Sequence, residues 1–138
     1  MTDLDRYKNA IKKEVASFPE ELWADMKKDH KSKNLQIDLR VVEICLEVCC
    51  KIDNIDRALE LLAECKKMRR FDDDTTLSAY NALLSLCENR MNEQVAIDGN
   101  KDTTEINRVL GELTDAGLRP NDSTIDLLRR TLTDGVRF

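Results

Sequence analysis

An all-α chain built from stacked helix pairs is the fold this sequence predicts, and three features predict it. Apolar residues recur with a period near 3.6 along nearly the whole length, while period-2 alternation is never sustained. Charged residues make up 36% of the chain and aromatics only 4%, with four Gly and two Pro, a composition that favours helices over strands. Val42, Tyr80 and Ile125 occupy matching places near the starts of three helices, roughly 38 and 45 positions apart. Those spacings fall in the repeat length of two-helix solenoids. The 138 residues are expected to form a single domain, long enough to bury a core without disulfides or metals.

The elements follow in order. Leu4, Tyr7, Ile11, Val15 and Phe18 share one face of an opening helix, with Arg6, Lys8, Lys12 and Lys13 beside it. Ser17-Phe18-Pro19-Glu20 reads as a helix entry, Ser17 and Glu20 fitting a capping box and Pro19 sitting in the first turn. That second helix carries Leu22, Trp23 and Met26 and is expected to dissolve in the polar run KKDHKSKN. Leu39, Val42, Cys45, Leu46, Cys49 and Ile52 form the next stripe. After an Asp53-Asn54 break, Ile55, Ala58, Leu59, Leu62 and Cys65 form another, which makes an αα-hairpin.

Asp72-Asp73-Asp74-Thr75 opens a helix with Leu77, Tyr80, Leu83, Leu84 and Cys87, followed by a polar loop around residues 91–101. Asp102 and Glu105 are expected to cap a helix carrying Ile106, Val109, Leu110 and Leu113, which Gly117 ends in the left-handed conformation. Asn121 or Asp122 then caps a last helix with Ile125, Leu128 and Leu132, stopping near Gly135.

Charge and cysteine content narrow the function classes. Twenty-two Lys and Arg against 27 Asp and Glu leave a net charge of −5, the opposite of the basic balance that nucleic-acid binding favours. No apolar run approaches the ~20 residues of a membrane span. Asp3, Asp5 and Glu14 in the first helix argue against a transit peptide, which avoids acids. Five Cys is an odd number, so a reducing compartment and buried thiols are expected rather than a disulfide framework. There is no C-x-x-C and the only His is His30, so no zinc site is expected. Asp98-Gly99-Asn100-Lys101-Asp102 imitates the front of a calcium loop, but Thr103 and Val109 stand where Gly and Glu are needed. Asp72-Asp73-Asp74 reads as a solvated helix start. Lys27, Lys28 and Lys33, and Lys66, Lys67, Arg69 and Arg70, are local basic runs. No nucleophile–base pair, phosphate loop or metal motif is readable, so catalytic residues and cofactors are not expected.

Ala79-Tyr80-Asn81-Ala82-Leu83-Leu84 at the opening of one unit, Ala116-Gly117-Leu118-Arg119-Pro120-Asn121 at its close and Ser123-Thr124-Ile125-Asp126-Leu127-Leu128 at the next opening are similar to the pentatricopeptide repeats. Residues 49–62 resemble that family's mid-repeat turn and second helix. The resemblance implies a right-handed α-solenoid of about two and a half repeats over 39–138, behind an N-terminal helical extension over 1–38. The Tyr80 unit carries roughly ten extra residues in its internal turn, and the Val42 unit has Met68-Arg69-Arg70-Phe71-Asp72 where the closing Gly-x-x-Pro belongs.

The resemblance also implies a mitochondrial protein. In family members that bind single-stranded RNA, two side chains of each repeat read one base, and here they correspond to Asn81 and Asn121, with Glu43 and Asp126 at corresponding positions elsewhere. Carboxylates facing a phosphate-lined strand oppose binding. The expectation is therefore a non-catalytic subunit making protein–protein contacts in a respiratory, ATP synthase or mitoribosomal complex, with RNA binding the second reading.

Overall fold

The computed structural model describes residues 3–11, 17–32, 37–68 and 71–131, and among them every regular element is an α-helix. The helices are α1 (Asp3–Ile11), α2 (Glu20–Ser32), α3 (Leu39–Lys51), α4 (Ile55–Lys66), α5 (Asp73–Asp98), α6 (Thr104–Asp115) and α7 (Asp122–Thr131). The chain divides into two compact units whose boundary falls inside α4, between Leu61 and Leu62. No described helix is long and apolar enough to cross a membrane.

In the first unit α1 packs against α2 and α3. Trp23, Met26, Ile37, Val41, Ile44, Leu46 and Cys49 are all within 2% of full burial. Polar clips fasten the periphery. The Tyr7 hydroxyl donates to Asp29 at 2.6 Å, joining α1 to α2, and Lys8 lies 3.9 Å from Asp38, the N-cap of α3. Arg57 donates through Nε and Nη2 to both oxygens of Glu20, each at 2.7 Å, and stacks 5.3 Å from the Phe18 ring.

The hairpin turn between α3 and α4 closes as a Schellman motif. Asp53 takes the left-handed conformation (φ 58°), its N–H donates to Cys50 and the Asn54 N–H donates to Cys49. The Asn54 side chain then accepts from the Arg57 N–H and starts α4.

In the second unit α5 packs against α6 and α7. Tyr80, Leu83, Leu84, Ile106, Val109, Leu113 and Leu128 fill its core. Asp72 caps α5 by accepting from the Thr75 N–H at 2.8 Å. Gly117 (φ 78°) ends α6 as expected. Its N–H donates to Thr114, the Leu118 N–H donates to Leu113, and both leucines are buried, the full Schellman pattern with its apolar contact. The Lys66 ammonium donates to the Ala116 carbonyl, a cation placed on the negative end of α6.

Several expectations are corrected. The polar segment after Met91 is not a loop, because α5 continues to Asp98. Glu93, Gln94 and Ala96 are strong helix formers, and Gly99 (φ 73°) stops the helix by donating its N–H to Val95 at 2.8 Å. Residues Lys27–Ser32 are helical as well, with Lys31 in the last turn where a cation suits the dipole.

The Ser17–Glu20 capping box is not formed. Helix α2 begins only at Glu20, the Pro19 carbonyl accepts from the Trp23 N–H, and Arg57 occupies the Glu20 carboxylate. Nor does the Asp102–Glu105 box form. Thr103 is the N-cap residue, Asp102 binds Thr104, and Glu105 pairs with Arg90 at 3.5 Å. Phe18 is buried from the segment before α2 rather than from the first helix. Val15, Leu132, Gly135 and the basic residues Lys33, Arg69 and Arg70 lie outside the described residues.

Candidate functional site

Asn81 and Asn121 come together. Asn81 is half-buried about two turns into α5, beside Tyr80, whose ring fixes that face of the helix in the core. Asn121 lies just before α7 and caps it. Its Oδ1 accepts from the Thr124 N–H at 3.1 Å, and its own N–H donates to the Thr124 Oγ1 at 3.2 Å. This reciprocal box uses Thr where Glu is more usual.

The backbone donor decides the amide orientations. Because the Thr124 N–H can only face an acceptor, Asn121 must present Oδ1 inward. Asn81 must then present Nδ2 to that oxygen, which it does at 3.1 Å. The Thr124 hydroxyl donates to the Asn81 Oδ1 at 2.7 Å and lies 3.0 Å from the Asn121 Oδ1. A hydroxyl has one proton to give, and the shorter contact takes it.

The result is a closed ring of three side chains. With two amide donors already on it, the Asn121 oxygen has both lone pairs occupied. The Asn121 Nδ2 group and the second lone pair of the Asn81 Oδ1 are left over, while the bonded amide atoms are committed to the cap on α7.

Thr124 was not singled out by sequence reasoning. It is fully buried, and it is the residue that holds the two asparagines in place. The available signal was a hydroxyl residue three positions after a cap residue. The other would-be reading positions are differently occupied. Glu43 is half-buried on α3 and lies 3.7 Å from Arg40, and Asp126 is exposed on α7.

Other titratable groups are held by packing. Burial pushes the Cys49 thiol up to about 12, with the neighbouring Cys50 adding to the rise. Burial likewise raises the Tyr80 hydroxyl. All five cysteines are thiols, and four of them are buried. Among the described residues no group of three or more His, Cys, Asp or Glu side chains is gathered as a metal ion would need.

The sequence also gave no warning of the exposed end of α5. Residues 92–102 are all exposed, and Val95 and Ile97, at 38% and 79%, are the exposed large hydrophobics of the described chain. Comparison with protein families, curated protein sequences and solved structures finds no match to this chain.

Proposed function

We propose that this chain is a non-catalytic helical-repeat subunit that docks onto partner proteins, with its helix pairs stacked as a right-handed solenoid. The observation that carries this reading is the closed ring of Asn81, Asn121 and Thr124. Both asparagines are bonded to each other and to Thr124, which joins α5 to the start of α7. The order of packing supports the stacking. Helix α5 lies against α6, as the two helices of one repeat do, and against α7, the first helix of the next repeat. The net charge of −5 opposes a phosphate-rich partner. Following the resemblance of its repeats, the assembly is placed in the mitochondrion as a respiratory, ATP synthase or mitoribosomal complex.

One observation favours the second reading, an RNA-binding factor: the two asparagines that the family's reading mode would use are side by side, 3.1 Å apart. Native purification under mild salt, with filter binding of single-stranded RNA by the purified chain, separates the two. The expected result is co-purifying protein, together with weak, base-indifferent RNA binding that Asn81→Ala leaves unchanged. Tight RNA binding at physiological salt that collapses on Asn81→Ala would overturn the subunit reading.

A further inference from the structure

Helix α5 outruns its partner. Arg90 and Met91 still touch the body of the second unit, Arg90 through Glu105 at 3.5 Å and Met91 by burial to 7%. The seven residues Asn92–Asp98 are all exposed and, at 1.5 Å per residue, carry the helix about 10 Å further. The chain returns through Gly99–Thr103 to α6. Between the helix end and the returning strand of chain is a cleft of about 260 Å³ lined by Met91, Gln94, Asn100, Asp102 and Glu105.

The register of the helix gives this end two sides. At about 100° per residue, Met91, Gln94 and Asp98 form a single stripe, and it is the stripe that the cleft adjoins. Val95 falls on one flank of the stripe and Ile97 on the other. The apolar groups therefore border the cleft instead of closing on each other. Ile97 is 79% exposed and Val95 38%.

The charges here favour one sign of partner. With Arg90 and Glu105 paired to each other, Asp98 and Asp102 outnumber Lys101 beside the cleft. The Thr104 hydroxyl and N–H hold the Asp102 carboxyl below its ordinary value.

We infer that the projecting end of α5 and its cleft dock a basic, apolar segment of a partner protein. A Lys or Arg side chain lays its stem on Met91 and its charge against Asp102, while apolar neighbours cover Val95 and Ile97. The inference rests on the protein-docking reading above and names its surface and the chemistry of its partner.

The test uses the full chain and a short synthetic amphipathic peptide of Leu and Lys. Two control peptides replace the Lys by Glu or the Leu by Ser. At physiological salt the basic apolar peptide is expected to bind at least about tenfold tighter than either control. It should shift backbone amide resonances within 91–105 only. The double variant Val95→Ser/Ile97→Ser, and separately Asp102→Asn, should each weaken it about tenfold. All the altered side chains are exposed, so the variants should keep the wild-type circular dichroism. Shifts centred elsewhere, or a double variant that binds as wild type does, would overturn the inference. Undiminished co-purification of native partners with the double variant would also overturn it, while leaving the subunit reading intact. A native preparation carrying RNA and no protein would overturn both.

Discussion

The Tyr7 hydroxyl donates a hydrogen bond to the Asp29 carboxylate, and that bond holds its pKa up at about 12. Tyr80 is raised as well, by burial first and then by Glu112. These are the only two tyrosines in the chain, so the phenol absorbance reports nothing else. In the unfolded chain both ionise near 10. A raised folded-state value means that both tyrosines stabilise the fold fully below pH 10; the Tyr7 contribution falls away as pH climbs from 10 towards 12, and that of Tyr80 falls away above 10. Alkaline titration of the native protein should therefore show phenolate appearing only above pH 10, and titration in urea should show it near 10. Native phenolate with an ordinary midpoint would mean that the Tyr7–Asp29 bond does not form in solution. The Asn81–Asn121–Thr124 ring belongs to this scale too. Both asparagines stood out in the sequence through the resemblance, Asn81 after Tyr80 and Asn121 after Pro120, whereas the direction of each amide depends on a backbone N–H that no pattern of letters reveals.

Among the elements, α6 has the most legible end. Gly117 has φ 78°, and a side-chain carbon added there would meet no atom within 4 Å. The cost of substitution is therefore conformational alone. Gly117→Val is expected to destabilise by about 1 kcal/mol or more, since β-branching worsens a positive φ. Urea unfolding measures this, and hydrogen exchange locates it. Exchange should quicken at the end of α6 and through 121–131, because the Leu118 N–H and the start of α7 hang on that turn. A variant as stable as wild type would show that the turn relaxes to negative φ. Elsewhere element ends were harder to read, for a common reason. Ser17, Glu20, Asp102 and Glu105 have the residue types of caps, but Glu20 and Glu105 are claimed by Arg57 and Arg90 from other helices. Local motifs compete with long-range partners, and only the folded chain resolves the competition.

Over the molecule as a whole, burial divides the cysteines. Cys45, Cys49, Cys65 and Cys87 are buried and Cys50 is half-buried. Thiol exchange requires access and a thiolate, and Cys49 is held protonated with a pKa of about 12. Ellman's reagent at pH 8 is expected to modify at most one thiol per native chain quickly, at Cys50, and all five after denaturation. Rapid modification of two or more native thiols would show that a helix carrying them opens readily.

The amino-acid sequence by itself determined the helical class, most of the helix starts and the apolar stripes. These depend on a 3.6-residue period and on short-range chemistry such as Asp72 before Thr75 or Gly117 after Leu113. Through the resemblance it also singled out Asn81, after Tyr80, and Asn121, after Pro120, as an expected pair. Tertiary structure alone decided that the two amides close on Thr124, that Arg57 draws Glu20 away from a cap, and that α5 runs on as exposed helix to Asp98. The polar run after Met91 is equally good as loop or as solvated helix, because no buried face marks its period. What tips it is a well-packed helix already nucleated upstream, onto which each further residue adds a hydrogen bond at little cost until Gly99 ends it.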